Sequence, residues 1–153
     1  MKKQSSLLLI LMLLLVLAGC GAKPAPTEPP ELTVTNAQGV SITAMGGSYD
    51  WDYEAGGGQR TGAIACGMHP LDETLRDSTP ALEMPIAVSA SFYYTVTLSF
   101  GDCAPDSVTL RYWNEQCWGD TQAKAEKLTV QRQDDGTYTV ELIPSVGIFE
   151  VDA

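Results

Sequence analysis

The chain has 153 residues, of which 44% are hydrophobic and 18% charged, and nine basic residues face nineteen acidic ones for a net charge of -10. That length holds one domain and not two lobes. The acidity excludes nucleic acid as a partner, because such binding depends on Lys and Arg neutralising phosphates, and it leaves no polybasic patch for anionic lipid headgroups.

The first element in chain order is a leader. Lys2 and Lys3 give a positive start, Leu7 to Leu17 is an unbroken run of eleven apolar residues, and Leu17-Ala18-Gly19 leads with small residues to Cys20. Eleven apolar residues fall short of the about 20 that a membrane-spanning helix needs. The pattern resembles the lipobox of bacterial lipoprotein signal peptides. The resemblance implies a signal peptide over 1–19, a diacylglycerol and a fatty acyl chain such as palmitate on Cys20, and cleavage before that residue. The expected address is therefore the outer face of a cell membrane, of the Gram-positive type, with the lipid bilayer as first partner. Lys2 and Lys3 leave with the leader, so seven basic residues then face nineteen acids and the net charge becomes -12.

Residues 20–31 read as a tether. Four prolines between Gly21 and Glu31 remove amide donors and hold φ near the polyproline value, so neither helix nor sheet forms there. At about 3.1 Å per residue this segment spans roughly 30 Å and stands a domain clear of the headgroups.

Residues 32–153 read as strands. Short alternating runs recur at Leu32 to Thr35, Val40 to Ala44, Ser48 to Tyr53, Thr61 to Ala65, Phe92 to Phe100, Ser107 to Trp113, Lys127 to Arg132, Thr137 to Ile143 and Ile148 to Val151. In the clearest run Phe92, Tyr94, Val96, Leu98 and Phe100 share one face, and Tyr93, Thr95, Thr97 and Ser99 the other. Val108, Leu110 and Tyr112 form a second apolar side, with Thr109, Arg111 and Trp113 opposite. Asp134-Asp135-Gly136, between two alternating runs, is the strongest hairpin signal. Eight or nine short strands with frequent turns predict an all-β fold, an antiparallel immunoglobulin-like β-sandwich. Met68 to Pro85 is the one long connection, with a helical turn expected around Leu71 to Arg76, and long loops on rigid scaffolds are where binding concentrates.

Cys20 is taken by lipid, which leaves Cys66, Cys103 and Cys117 outside the cell, where one intramolecular disulfide at most can form. A strand over Ser107 to Trp113 puts Cys103 and Cys117 near opposite ends, some 30 Å apart at about 3.3 Å per residue. Cys66–Cys117 and Cys66–Cys103 remain, and the first is favoured.

Catalytic signals are few. His69 is the one histidine, and neither Cys-x-x-Cys nor His-Glu-x-x-His spacing occurs, so no metal or other cofactor is expected. Cys66-Gly67-Met68-His69 puts two sulfurs and an imidazole within four residues, the donor set of a soft metal such as Cu(I). The plainer reading is a disulfide cysteine followed by a turn. No Gly-x-Ser-x-Gly elbow accompanies His69. Asp50, Asp52, Glu54, Asp72 and Glu73 supply carboxylates for glycosidase-like pairs, but acids on so anionic a domain serve solubility first. Gly56-Gly57-Gly58 lacks the following Lys and Ser/Thr of a phosphate loop and reads as a hairpin tip.

Aromatic residues say more. Tyr49, Trp51 and Tyr53 share one strand face, as core residues do, whereas Trp118 follows a strand end and precedes Gly119-Asp120, where partial exposure is expected. Trp118, His69 and Trp113 are the candidate ligand contacts, for a sugar ring or a cationic peptide.

Gly47-Ser-Tyr-Asp-Trp-Asp-Tyr53, Met68-His-Pro-Leu-Asp72, Ala104-Pro-Asp-Ser-Val-Thr-Leu-Arg-Tyr-Trp113 and Cys117-Trp-Gly119 resemble a small extracellular module of Firmicutes. That module occurs in lipoproteins and at the outer end of some membrane zinc peptidases of the β-lactam-sensing kind. The chain has neither the membrane helices nor the zinc motif of those peptidases, so the resemblance implies sensing or binding and no peptidase activity. The expected function is a non-catalytic, membrane-anchored binding module whose partner is an envelope protein, peptide or glycan. The alternative is an envelope enzyme or soft-metal-handling protein that uses the Cys66–His69 region and nearby carboxylates.

Overall fold

Alternation of apolar and hydroxylated residues from Tyr94 onward does what period-two patterning dictates: Val96 and Leu98 are buried, and Thr95 faces water. The computed structural model describes residues 27–54, 59–84, 93–143 and 146–153. The leader, Cys20 and Gly56-Gly57-Gly58 lie outside the described residues.

The strands are β1 (Thr33–Asn36), β2 (Ser41–Thr43), β3 (Tyr49–Glu54), β4 (Arg60–Ala65), β5 (Tyr94–Ser99), β6 (Thr109–Asn114), β7 (Glu126–Leu128), β8 (Val130–Arg132), β9 (Tyr138–Leu142) and β10 (Gly147–Asp152). Their pairings are antiparallel. They make a five-stranded sheet in the order β2-β1-β5-β9-β8, a three-stranded sheet in the order β10-β6-β7, and a two-stranded ribbon of β3 and β4. The fold is all-β.

The main core joins the two larger sheets. Val96, Leu98, Tyr138 and Val140 come from the five-stranded sheet and Leu110 from the three-stranded one, with Phe100 beside them and Val34, Leu128, Val130 and Val151 packed around. The Tyr138 hydroxyl donates to the Pro105 carbonyl, which ties the link between β5 and β6 to the start of β9. The expected Asp-Asp-Gly hairpin joins β8 to β9: Gly136 takes φ +84°, a left-handed value that a side chain resists, and its amide bonds to the Gln133 carbonyl.

The expected single strand over Lys127 to Arg132 is instead two. β7 pairs with β6 and β8 with β9, so the chain changes sheets at Thr129 while Leu128 and Val130 both stay on the core. Crossing between layers needs that break, and hydrophobic alternation, which runs straight through Thr129, does not register it. The ribbon also departs from expectation. Tyr49, Trp51 and Tyr53 do share a face, opposite Ala65, Ala63 and Thr61, but they are half-buried and belong to neither buried cluster among the described residues.

The three-stranded sheet buries residues on both faces. Leu110 faces the main core, while Trp113, on the opposite face and expected at the surface, is 5% exposed beside Ile148 and Leu71. Gly147 makes this junction possible: a side chain there would meet the Tyr112 ring and stand 2.7 Å from the Trp113 carbonyl oxygen.

Candidate functional site

Two loops converge on the outer face of β6 and β10. One begins where β6 ends: the Asn114 side chain accepts the Gln116 amide at 3.0 Å and starts a single 3-10 turn, Glu115–Cys117. The chain then doubles back over the sheet, and the Ala123 carbonyl accepts the Trp113 indole N–H at 3.0 Å. That bond satisfies the one polar atom of a buried indole.

The other loop is the long connection after β4. The Leu71 amide donates to His69 Nδ1 at 3.1 Å, and the Asp72 amide to the His69 carbonyl at 2.8 Å. Asp72 then caps a 3-10 turn, Glu73–Leu75, accepting the Thr74 amide at 3.0 Å and the Thr74 hydroxyl at 2.6 Å. These bonds from Thr74, hydroxyl first and amide second, hold the Asp72 carboxyl below the usual carboxylate range, with His69 adding a smaller pull in the same direction. The helical turn expected around Leu71 to Arg76 is this shorter element.

Leu71 is fully buried and joins the loops. Its side chain packs on Trp113 and Ile148, with Cys117, Trp118, Ala123 and Ala125 around them, and its carbonyl accepts the Gly119 amide at 2.8 Å. Gly119 sits at φ +83° to deliver that amide. The His69 ring meets the Trp113 ring edge-on, with centroids 6.3 Å apart.

The three candidate ligand contacts are therefore brought together, in different roles. Trp113 is the floor and is closed to ligand by its burial. His69 is exposed above it and Trp118 is half-buried at its margin. Since Nδ1 accepts the Leu71 amide, a neutral His69 carries its proton on Nε2, which makes that atom a donor toward solvent. Met68 is 57% exposed alongside, its sulfur facing the Thr74 hydroxyl at 3.8 Å.

No family model, no curated protein and no solved structure matches this chain.

Cys66, Cys103 and Cys117 are free thiols, so the expected Cys66–Cys117 bridge is not formed. Cys66 follows the ribbon and is exposed, whereas Cys117 lies in the turn after β6 and packs half-buried on the Trp113 cluster. Among the described residues no group of three or more His, Cys, Asp or Glu is gathered as for a metal ion. Of the donors in the soft-metal alternative, His69 Nδ1 already accepts the Leu71 amide. Asp50 and Asp52 lie on the exposed face of the ribbon, where Asp52 stands 3.6 Å from Arg60.

Sequence reasoning missed Leu71, the residue that organises the site. Its signal was available in Asp72-Glu73-Thr74, a capping pattern directly after an isolated leucine, which marks the leucine as an anchored loop residue.

Proposed function

We propose that the chain is a lipid-anchored lipoprotein whose β-sandwich binds an envelope ligand without turning it over. The anchor rests on the Lys2-Lys3 start, the apolar run and Leu17-Ala18-Gly19-Cys20. An immunoglobulin-like arrangement is supported by the strand order. The sequence β1-β5-β9-β8 corresponds to the A-B-E-D sheet, and adjacent β6 and β10 correspond to C and F.

One observation carries the binding reading: Leu71 ties two loops together over a buried Trp113 and leaves His69, Met68 and Trp118 at their rim. A surface built this way is ordered before a ligand arrives, so little conformational entropy is lost on contact. An aromatic edge, a thioether and an imidazole N–H suit a peptide or a sugar ring.

The test uses the full chain in detergent. Thermal shifts and 15N-detected titrations with muropeptides, wall glycan fragments and β-lactams are expected to move the amides of 68–72 and 117–119. Trp118→Ala should abolish the response and leave the unfolding temperature within a few degrees. A ligand that is consumed, with turnover lost in His69→Ala, overturns the non-catalytic reading. Mass analysis of membrane fractions tests the anchor: Cys20→Ala should release the chain, and retention of an unshifted chain refutes it.

A further inference from the structure

β10 is the one long outer strand of the two larger sheets. β2, β7 and β8, the other outer strands, are three residues each, whereas all six residues of β10 pair with β6 on one side and none pairs on the other among the described residues. Proteins guard long edges with Lys, Pro, bulges or brevity. Gly147-Ile-Phe-Glu-Val-Asp152 carries neither Lys nor Pro, and its register with β6 runs without a bulge.

The two faces beside this edge differ in chemistry. On one, Phe149 is 40% exposed and lies 5.1 Å from the Tyr112 ring. On the other, Glu150 and Asp152 both reach Arg111, at 2.6 and 2.7 Å. Arg111 and Lys127, paired across β6 and β7, balance the two carboxylates on that face, but the carboxylates stand on the edge strand and the cations one and two strands inward.

We propose that the β10 edge takes up an extended basic polypeptide segment as an additional strand. Backbone bonds to β10 supply affinity, and side chains of period two supply selectivity: apolar ones toward Phe149, Lys or Arg toward Glu150 and Asp152. Charge selects this occupant over a second copy. Two chains joined edge to edge at β10 bring Glu150 and Asp152 against their own counterparts, and like charges on paired strands repel. The strongly acidic chain also attracts basic segments at long range. This surface does not involve His69, Met68 or Trp118, so the proposal stands or falls apart from the reading above.

The probe is a synthetic seven-residue peptide of alternating Lys and Val, titrated into the full chain in detergent and followed by anisotropy and by hydrogen exchange. Binding with new protection at β10 amides is expected. N-methylation of alternate peptide amides, which keeps charge and removes strand donors, should weaken it roughly tenfold or more, as should Phe149→Lys. Trp118→Ala should leave it unchanged. A circular-dichroism spectrum of Phe149→Lys matching the parent secures that variant's fold. Equal binding of the N-methylated peptide reduces the effect to non-specific charge attraction and overturns the proposal. So does protection confined to other strands, or a dimer in sedimentation.

Discussion

The main core and the Trp113 cluster bury similar side chains by different means. In the first, residues two apart on β5 and β9 meet Leu110 of β6 across the gap between sheets, and strand geometry sets the contacts. In the second, one strand residue on the outward face is covered by loops whose order depends on single hydrogen bonds, from Trp113 to Ala123 and from Gly119 to Leu71. Sheets thus provide stability, and cross-tied loops provide a shaped surface whose stability is local. Regions of the second kind open more readily and carry recognition more often.

The largest expected effects separate the two regions. Trp113→Ala removes a buried ring and orphans the Ala123 carbonyl, and should lower stability by about 3–5 kcal/mol. Leu98→Ala should lower it by about 2–5 kcal/mol. The pattern of loss is the sharper readout. In hydrogen exchange, Leu98→Ala should weaken β1, β5 and β9 together, whereas Trp113→Ala should weaken 68–79 and 115–125 well beyond the five-stranded sheet. Uniform loss in both variants makes the two regions one cooperative unit and breaks the comparison.

The same division governs what the sequence disclosed. The Phe92 to Phe100 alternation located β5 and its buried side, and Asp134-Asp135-Gly136 located a hairpin, because both signals are local and act through backbone geometry. The break at Thr129 was hidden, since Leu128 and Val130 keep the alternation of a continuous strand while the pairing partner changes. Trp113 was placed opposite Leu110 correctly, yet its burial depends on Leu71, more than forty residues away in sequence, and period-two patterning says nothing about what a distant loop covers. Of the site residues, His69 and Trp118 stood out as rare residue types; Leu71, an ordinary leucine, did not.

A smaller effect probes where the regions touch. Gly147 opens β10, and any side chain there collides with the Tyr112 ring on one side and the Trp113 carbonyl on the other. Ring movement alone cannot relieve a 2.7 Å approach to backbone, so Gly147→Ala should displace the start of β10 and lower stability by about 1–3 kcal/mol. Chemical-shift changes should appear in both the Tyr112 and the Trp113 side chains. A change restricted to one of them makes the two faces of β6 mechanically independent.

The smallest effect compares two capping carboxylates. Asp72 caps the turn above Trp113, and Asp135 makes the same pair of bonds with Thr137 in the β8–β9 hairpin of the core sheet. In each, the threonine hydroxyl and then its amide lower the carboxyl from its ordinary range. A folded-state pKa below the unfolded one means stabilisation that is complete above the unfolded value, near about 3.9, and that disappears as pH falls through the lower folded value. Both groups are solvated, so the contribution is small in each. Asp72→Asn and Asp135→Asn keep an acceptor and remove the charge, so the stability difference from the parent should be present at neutral pH and vanish in strong acid. Asp135→Asn should shift the global unfolding midpoint, because its hairpin belongs to the cooperative core. Asp72→Asn should act chiefly on exchange in 68–79, because its turn opens before the sheets do. A midpoint shift in Asp72→Asn equal to that in Asp135→Asn, over the same acid range, assigns the loop over Trp113 to the core's own unfolding unit.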